Sequence, residues 1–266
     1  MSWTLFRANI RDNRTIWIIM TAVFCFYISI MVGMFDPAGA EKFLVMMEMM
    51  PEALLKAFGM AQIGSTLVSF IAGSLYCGIV FLFPLVVSIV VNHRLMASHV
   101  DKGSMAYLLA TPNTRTKIAS TQALFSLASI TALFTVATTL GIVVSGAMFP
   151  GHLETGKFIM LNIYALLTYF AIGGIGFFAS CIANESKHSL GIGIGLPGAF
   201  LVLQMVGAAG DKFSWLGNLS LYALFDPFKL LEGDSFAYIG MALLALIAAA
   251  LYIGGIAIFN KRDLHV

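Results

Sequence analysis

One stretch of the sequence has the spacing of a phosphate-binding loop. Residues Gly151 to Phe158 read Gly-His-Leu-Glu-Thr-Gly-Lys-Phe, which fits the pattern of glycine, four residues, glycine and lysine. In a loop that binds ATP the residue after the lysine is Ser or Thr, because its hydroxyl coordinates Mg²⁺. Here that residue is Phe158, and no strand pattern precedes the glycines. We therefore predict that this chain has neither a nucleotide site nor a catalytic site.

Residues that commonly bind metals are few and scattered. Cys25, Cys77 and Cys181 lie in apolar runs, and neither their odd number nor their spacing suits a disulfide framework or a zinc site. The five histidines lie near the ends of apolar segments, where solvated loop residues are the simpler interpretation. We therefore expect no metal site and no cofactor in this chain.

The composition indicates the environment in which the chain folds. Of its 266 residues, 59% are hydrophobic and 11% are charged, and the mean hydropathy is +0.92. A soluble domain carries about 25% charged residues, because its surface must remain hydrated. The net charge of +2 also gives no field that would attract nucleic acid. The composition therefore predicts a polytopic membrane protein.

Apolar runs long enough to cross a bilayer occur six times. A helix crosses the hydrocarbon in about 20 residues, and within lipid it satisfies all of its own backbone hydrogen bonds. We therefore predict an all-α membrane protein with a single transmembrane domain over residues 1–266. The six predicted spans cover residues 15–35, 66–91, 119–149, 158–183, 189–209 and 236–260.

Charge is distributed unequally between the two sides of these spans. The side that holds both termini has a net charge of +6, and the other side has −4. Because loops rich in Lys and Arg stay in the cytoplasm, both termini are predicted to be cytoplasmic. No Asp, Glu, Lys, Arg or His lies within the six predicted spans, which argues against a proton-coupled carrier and an intramembrane enzyme. The energy for any transport is therefore expected to come from another subunit.

The longest segment on the positive side, residues 92–118, contains a candidate amphipathic helix. Asp101 and Ser104 begin this helix, and Met105 and Leu108 share one of its faces. A solvated loop that joins two spans is the alternative interpretation.

The same segment carries a resemblance to a known family. An Asp-Lys-Gly-Ser turn at residues 101–104 precedes Leu-Leu-Ala-Thr-Pro at 108–112 and then Arg115. This order resembles the type-2 (exporter-class) membrane subunits of ABC transporters, in which an acid and Gly-Thr precede Leu-Leu-x-x-Pro-x-x-Arg between spans two and three. The final Phe-Asn-Lys-Arg-Asp-Leu at residues 259–264 is similar to the Phe-x-x-Arg-Asp-Leu close of the same permease family.

The resemblance implies a cytoplasmic coupling helix between spans two and three, which docks in a cleft of a separate ATP-binding subunit. Two copies of that subunit would bind ATP and Mg²⁺, and a second permease chain, identical or related, would complete a dimer. The implied location is the plasma membrane of a prokaryote. The residues that the resemblance assigns to docking are Asp101, Lys102, Gly103, Ser104, Leu109, Pro112 and Arg115.

The segment before the first span, Trp3–Arg14, resembles the amphipathic elbow helix of this family, which rests on the inner leaflet. Arg7, Arg11 and Arg14 are spaced to share one stripe of a helix. Contact with the ATP-binding subunit and anchoring to lipid headgroups are both open interpretations of this stripe.

Two further sets of residues are candidates for packing and gating. The fifth predicted span contains a GxxxG pair followed by a proline, which favours close helix packing or a hinge; these residues are Gly191, Gly195 and Pro197. The outer segment of residues 36–61 is amphipathic and rich in methionine, whose flexible side chain suits irregular apolar ligands. Its outer gate candidates are Met46, Met50 and Phe58.

Spans without charged residues suit an apolar or amphipathic substrate such as a lipid, a peptide or a drug-like molecule. The predicted function is therefore that of a permease subunit of an ATP-driven exporter, which moves such a substrate outward. A regulatory or assembly membrane protein without a transport path is one alternative, and an ion-coupled carrier is another. Association with an ATP-binding subunit distinguishes the first function from both alternatives.

Overall fold

A computed structural model describes residues 1–36, 66–76, 82–101, 103–109, 113–183, 185–209 and 213–261. These parts of the chain contain helices, turns and bends, and no strand. The helices are α1 (Trp3–Gly33), α2 (Leu67–Ile71), α3 (Leu82–Asn92), α4 (Ser98–Asp101), α5 (Met105–Leu109), α6 (Arg115–Met148), α7 (Thr155–Ile182), α8 (Ser186–Ala209), α9 (Ser214–Gly217), α10 (Pro227–Glu232) and α11 (Ser235–Lys261). Two π-helical turns follow α2 and α3, at Ala72–Tyr76 and His93–Ala97, and a 3₁₀ turn covers Leu221–Leu224.

Five of the described helices are long and apolar enough to cross a membrane: α1, α6, α7, α8 and α11. The chain is therefore a multi-pass membrane protein, as its composition predicts. The last four match predicted spans three to six, with ends that differ by up to four residues. Apolar runs determine the middle of a helix, whereas a polar cap determines its first residue. Thr114 Oγ1 accepts a hydrogen bond from Lys117 N at 3.2 Å, and α6 accordingly begins earlier than predicted.

The predicted second span corresponds to two shorter apolar stretches, which are α2 and α3 with their π-helical turns. Residues 77–81 between them lie outside the described part of the chain. Two hydrogen bonds give the direction of these stretches. Tyr76 Oη donates to Asn162 Oδ1 at 2.6 Å near the start of α7, and Asn92 Nδ2 donates to the Gly173 carbonyl at 3.1 Å further along α7. The two stretches therefore run parallel to α7.

The helical structure of the second predicted span does not end at residue 91 as predicted, because it continues through the π-helical turn to the end of α4 at Asp101. Leu95, Met96 and Ala97 are all buried in this continuation. Apolar packing thus extends the helix past Asn92, whose Nδ2 donates to the Ser88 and Gly173 carbonyls inside the bundle.

The predicted elbow is not a separate helix. The segment Trp3–Arg14 forms the first part of α1, which continues without interruption to Gly33. No Pro or Gly occurs before Gly33 to break the helix. The structural reason for its continuity is that Asn9 and Asn13, on the face away from the arginines, are buried against the rest of the bundle.

The most buried of the five long helices is α7, which contacts α3, α6, α8 and α11. Buried residues make up 17 of its 28 positions. By contrast, the buried residues of α11 form a single stripe at the three- and four-residue spacing of one helix face. This stripe consists of Ala237, Gly240, Leu244, Ala248, Tyr252, Gly255 and Phe259.

Glycines allow α7 and α11 to approach each other closely. A Cβ atom at Gly240 would collide with the Tyr164 hydroxyl and the Leu224 carbonyl oxygen, which already form a hydrogen bond. A Cβ atom at Gly255 would lie 3.1 Å from the ring of Phe177. The small residues of α11 are thus required by the bulky aromatic side chains of α7.

Short elements between α8 and α11 close one end of the bundle. Asp226 Oδ1 accepts hydrogen bonds from the backbone N–H groups of Phe228 and Lys229, each at 3.1 Å, and so begins α10. Tyr222 and Phe225 are buried, with Phe225 packed on the ring of Tyr164 at a centroid distance of 4.7 Å. This connection is therefore part of the packed core.

The close approach of α11 to α7 predicts a sharp difference between two glycines of α11. Gly240→Ala should lower the free energy of unfolding by about 1–3 kcal/mol, because the added methyl group has no space. Gly254→Ala is the matched control, since its Cβ would meet Phe178 at an ordinary 3.5 Å. Thermal unfolding of both purified variants in detergent checks this prediction. Equal midpoints for the two variants would contradict it.

Candidate functional site

The turn after α4 is held in one conformation by local contacts. Gly103 adopts a left-handed backbone conformation with φ +68°, which other residues adopt only with strain. Ser104 Oγ donates a hydrogen bond to the His99 carbonyl at 3.3 Å and lies 2.9 Å from His99 Nδ1. Asp101 and Gly103 are exposed to solvent. The turn thus presents an acidic residue and an accessible backbone at the end of the bundle that carries the arginines of α1.

The short helix α5, which follows this turn, has two different faces. Met105 is fully buried in the apolar core of the bundle, and Leu108 packs partly against that core. Tyr107 points away from the bundle and is 81% exposed, the largest exposed fraction among the large apolar and aromatic side chains of the described residues. One face therefore anchors α5 to the bundle, and the other exposes an aromatic side chain to solvent. The sequence prediction identified the anchored face and missed Tyr107.

The start of α8 adds charged residues to the same surface, since α4 contacts α8. Lys187 Nζ lies 2.6 Å from Glu185 Oε2, and both side chains are largely exposed. The hydrogen bond from Lys187 lowers the pKa of the Glu185 carboxyl, while the negative charge of Asp101 acts in the opposite direction. Asp101, Glu185 and Lys187 therefore form one electrostatically connected patch.

The other predicted docking residues are placed only in part. Arg115 begins α6 and is half-buried, while Leu109 ends α5 and its side chain is not described. Lys102 and Pro112 lie outside the described residues. We define the coupling surface as the described residues Asp101, Gly103, Ser104, Tyr107, Arg115, Glu185 and Lys187.

The three arginines of α1 lie on one exposed side of the helix, as their spacing predicts. Arg7, Arg11 and Arg14 surround an open depression on this side of α1 together with one acid, Asp12, and we call this surface the basic groove. Arg94, in the π-helical turn after α3, donates a hydrogen bond to the Asp12 carbonyl at 3.2 Å. The groove therefore has an excess of positive charge.

The opposite side of α1 is attached to the bundle by amide side chains. Asn9 Nδ2 donates to Gln122 Oε1 of α6, and Gln122 Nε2 donates to the Leu95 carbonyl at 2.9 Å. Asn13 Nδ2 donates to the Asn9 carbonyl at 3.0 Å. This chain of hydrogen bonds links α1, α6 and the π-helical turn after α3. The only sequence signal for it is the four-residue spacing of Asn9 and Asn13 on the face away from the arginines.

A second buried polar cluster lies deeper in the bundle. Asn92 Nδ2 donates to the Ser88 carbonyl at 2.9 Å and, as described above, to the Gly173 carbonyl of α7. The hydroxyls of Ser126 on α6 and Tyr252 on α11 are 2.9 Å apart. A Cβ at Gly173 would meet both the Tyr252 and the Ser88 hydroxyls, so these two groups share one small space. We call Ser88, Asn92, Ser126 and Tyr252 the central polar cluster.

The candidate packing residues of α8 face open space within this chain. A Cβ added at Gly191 or Gly195 would meet no other described atom within 4 Å, whereas Gly193 faces the Gly176 Cα of α7 at 3.7 Å. Helix α8 also continues through Pro197 without a break. A packing role for the GxxxG pair therefore stays a prediction that needs a second chain.

The outer gate candidates Met46, Met50 and Phe58 lie outside the described residues. Among the residues that are described, no cluster of His, Cys, Asp or Glu could hold a metal ion.

Comparison with known proteins supplies the family. A family model described as "ABC-2 family transporter protein" matches residues 3–264, which is nearly the whole chain. A comparison with curated proteins gives no match. The family match agrees with the resemblance in the turn at residues 101–104 and with five long apolar helices. The chain is therefore a member of the ABC-2 family of transporter proteins.

Proposed function

We propose that the chain is the membrane-spanning permease subunit of an ATP-driven exporter. The observation that carries the proposal is the position of α5 in a member of this family. One face of α5 is anchored in the bundle through Met105, and the other presents Tyr107 to a partner. The partner is a cytoplasmic ATP-binding subunit, present in two copies, which supplies ATP and Mg²⁺. The permease itself provides no catalytic residue.

The mechanism follows from the way α5 is anchored. Met105 belongs to the same buried core as residues of α1, α6 and α7, so displacement of α5 must displace its neighbours in the bundle. A close-packed core responds by changing between discrete packings, because it compresses very little. Closure of the ATP-binding dimer would thus be converted into tilting of the spans.

Six spans with both termini in the cytoplasm agree best with the helix directions. Helices α1 and α6 run parallel, since Ser2 N donates to Thr121 Oγ1 at one end and Phe35 packs on Phe149 at the other. A parallel neighbour requires the chain to cross back between the two helices. The stretches α2 and α3, which run parallel to α7, supply this crossing. The excess of Lys and Arg on the termini side supports its cytoplasmic location in a prokaryotic plasma membrane.

A second permease chain, identical or related, is proposed to pack against α8. This helix is the least buried of the five long helices. A Cβ atom at Gly191 or Gly195 would have no other described atom within 4 Å, so another helix can approach closely there. A two-fold pair of permeases would also match two copies of the ATP-binding subunit.

The substrate class that fits the spans is apolar or amphipathic: a lipid, a peptide or a drug-like molecule. The six predicted spans contain no ionisable side chain of Asp, Glu, Lys, Arg or His. Transport in the outward direction is part of the proposal because of the exporter class that the sequence resembles.

The coupling surface predicts that Tyr107→Ala weakens binding of the ATP-binding subunit by about thirtyfold, the effect of losing an aromatic anchor worth about 2 kcal/mol. Tyr238→Ala is the matched control, because Tyr238 is also exposed, at 52%, but lies at the opposite end of the bundle. Titration of the purified permease with its ATP-binding subunit measures both affinities. Unchanged affinity for Tyr107→Ala and for Asp101→Lys would remove this surface from docking.

The turn predicts a separate effect of backbone strain. Gly103→Ala should reduce coupling, because alanine disfavours a φ of +68° by about 1 kcal/mol although no atom lies within 4 Å of its Cβ. Gly151→Ala introduces the same strain at φ +80° in a turn at the other end of the bundle. The readout is the rate of ATP hydrolysis by the ATP-binding subunit, measured with and without the permease. Only Gly103→Ala should reduce the change in hydrolysis rate that the permease causes. An equal reduction of this change in both variants would contradict the prediction.

The proposed substrate class predicts that amphiphiles change the ATPase activity of the complex reconstituted in liposomes. A panel of lipids, hydrophobic peptides and drug-like cations should contain compounds that raise the activity, whereas small hydrophilic solutes should leave it constant. Stimulation by a hydrophilic solute, together with no response to any amphiphile, would contradict the substrate class.

A further inference from the structure

An apolar cleft lies between α1 and α6, on the side of α1 next to its arginines. Its volume is about 420 Å³, and its walls include Phe6, Trp17 and Ile18 of α1 and Phe125 and Ala132 of α6. This volume lies within the range of small-molecule sites, and its walls suit a hydrocarbon chain. Trp17 Nε1 donates a hydrogen bond to the Ser129 carbonyl at 2.9 Å, which fixes the indole in the cleft wall.

Positive charge lies at the same place. Arg14 lines both the apolar cleft and the basic groove, so its side chain lies where the two meet. Arg14 forms no ion pair with any residue in the described part of the chain. Arg7 and Arg11 extend the positive groove away from the cleft, and Asp12 is the one acid that lines it. The apolar cleft is therefore bordered by a cationic surface.

We propose that this cleft binds one acyl chain of an anionic phospholipid, such as phosphatidylglycerol. The chain fills the space between α1 and α6, and the phosphate pairs with Arg14. The basic groove and the cleft lie at the end of α1 assigned to the inner leaflet, where lipid enters sideways from the bilayer. The site does not depend on the transport function, because it is formed within the single permease chain.

Trp17 provides a direct probe of this site, since it lines the cleft. The full-length chain with Trp3→Phe and Trp215→Phe retains Trp17 as its only tryptophan. In nanodiscs of phosphatidylcholine, increasing fractions of lipid with brominated acyl chains quench its fluorescence. Brominated phosphatidylglycerol should quench Trp17 at a mole fraction about fivefold lower than brominated phosphatidylcholine does, the equivalent of about 1 kcal/mol for one basic residue near an anionic lipid.

Matched variants separate the contribution of the Arg14 charge to lipid binding from the contribution of the apolar cleft. Arg14→Gln should abolish the preference for phosphatidylglycerol, Arg14→Lys should retain it, and Arg11→Gln, which alters the groove alone, should leave it unchanged. Ala132→Phe fills the cleft and should reduce quenching by both lipids, whereas Val143→Phe, which lies outside the cleft on α6, should not. Identical quenching curves for the two lipids, or a preference that survives both Arg14→Gln and Ala132→Phe, would overturn the proposal.

Discussion

The close approach of α11 to α7 is the interaction on which the rest of the structure depends. The hydroxyl of Tyr164 occupies the space that the missing side chain of Gly240 leaves, and the ring of Phe177 packs in the same way beside Gly255. With α11 in this position, α7 is enclosed on several sides and organises the neighbouring helices. In lipid, where helices gain little from the hydrophobic effect, such contact between small and large residues is a main source of helix association.

Polar side chains within the bundle have a different task from the charges at its ends. Asn9, Gln122 and Asn92 each bond across to another helix, and no water is available in lipid to replace those bonds. Neutral amides and hydroxyls can hold helices in register without the cost of burying a charge. The charged residues lie at the ends of the bundle, where they form part of the coupling surface and the basic groove.

The sequence predicts much of this architecture because apolar run length is a direct consequence of bilayer thickness. It identifies the middle of the long helices, the arginine stripe and the turn at Asp101. It does not predict that the elbow segment is the first part of α1, or that helical structure continues past Asn92. In both cases an asparagine near the predicted boundary of a span, Asn9 or Asn92, donates a hydrogen bond to a helix distant in sequence. The exposure of Tyr107 likewise cannot be predicted from hydropathy, since the orientation of its side chain depends on where Met105 is anchored.

The helix α1 is one uninterrupted helix of 31 residues, about 46 Å long, so its two ends are joined rigidly. Its arginine end lies beside the basic groove, and its other end leads to Phe35, which packs between Phe70 and Phe149. A tilt of about 5° at one end of such a rod moves the other end by about 4 Å. Forces on the arginine groove can thus reach the aromatic contacts at the far side of the membrane along one helix, without passing through any loop.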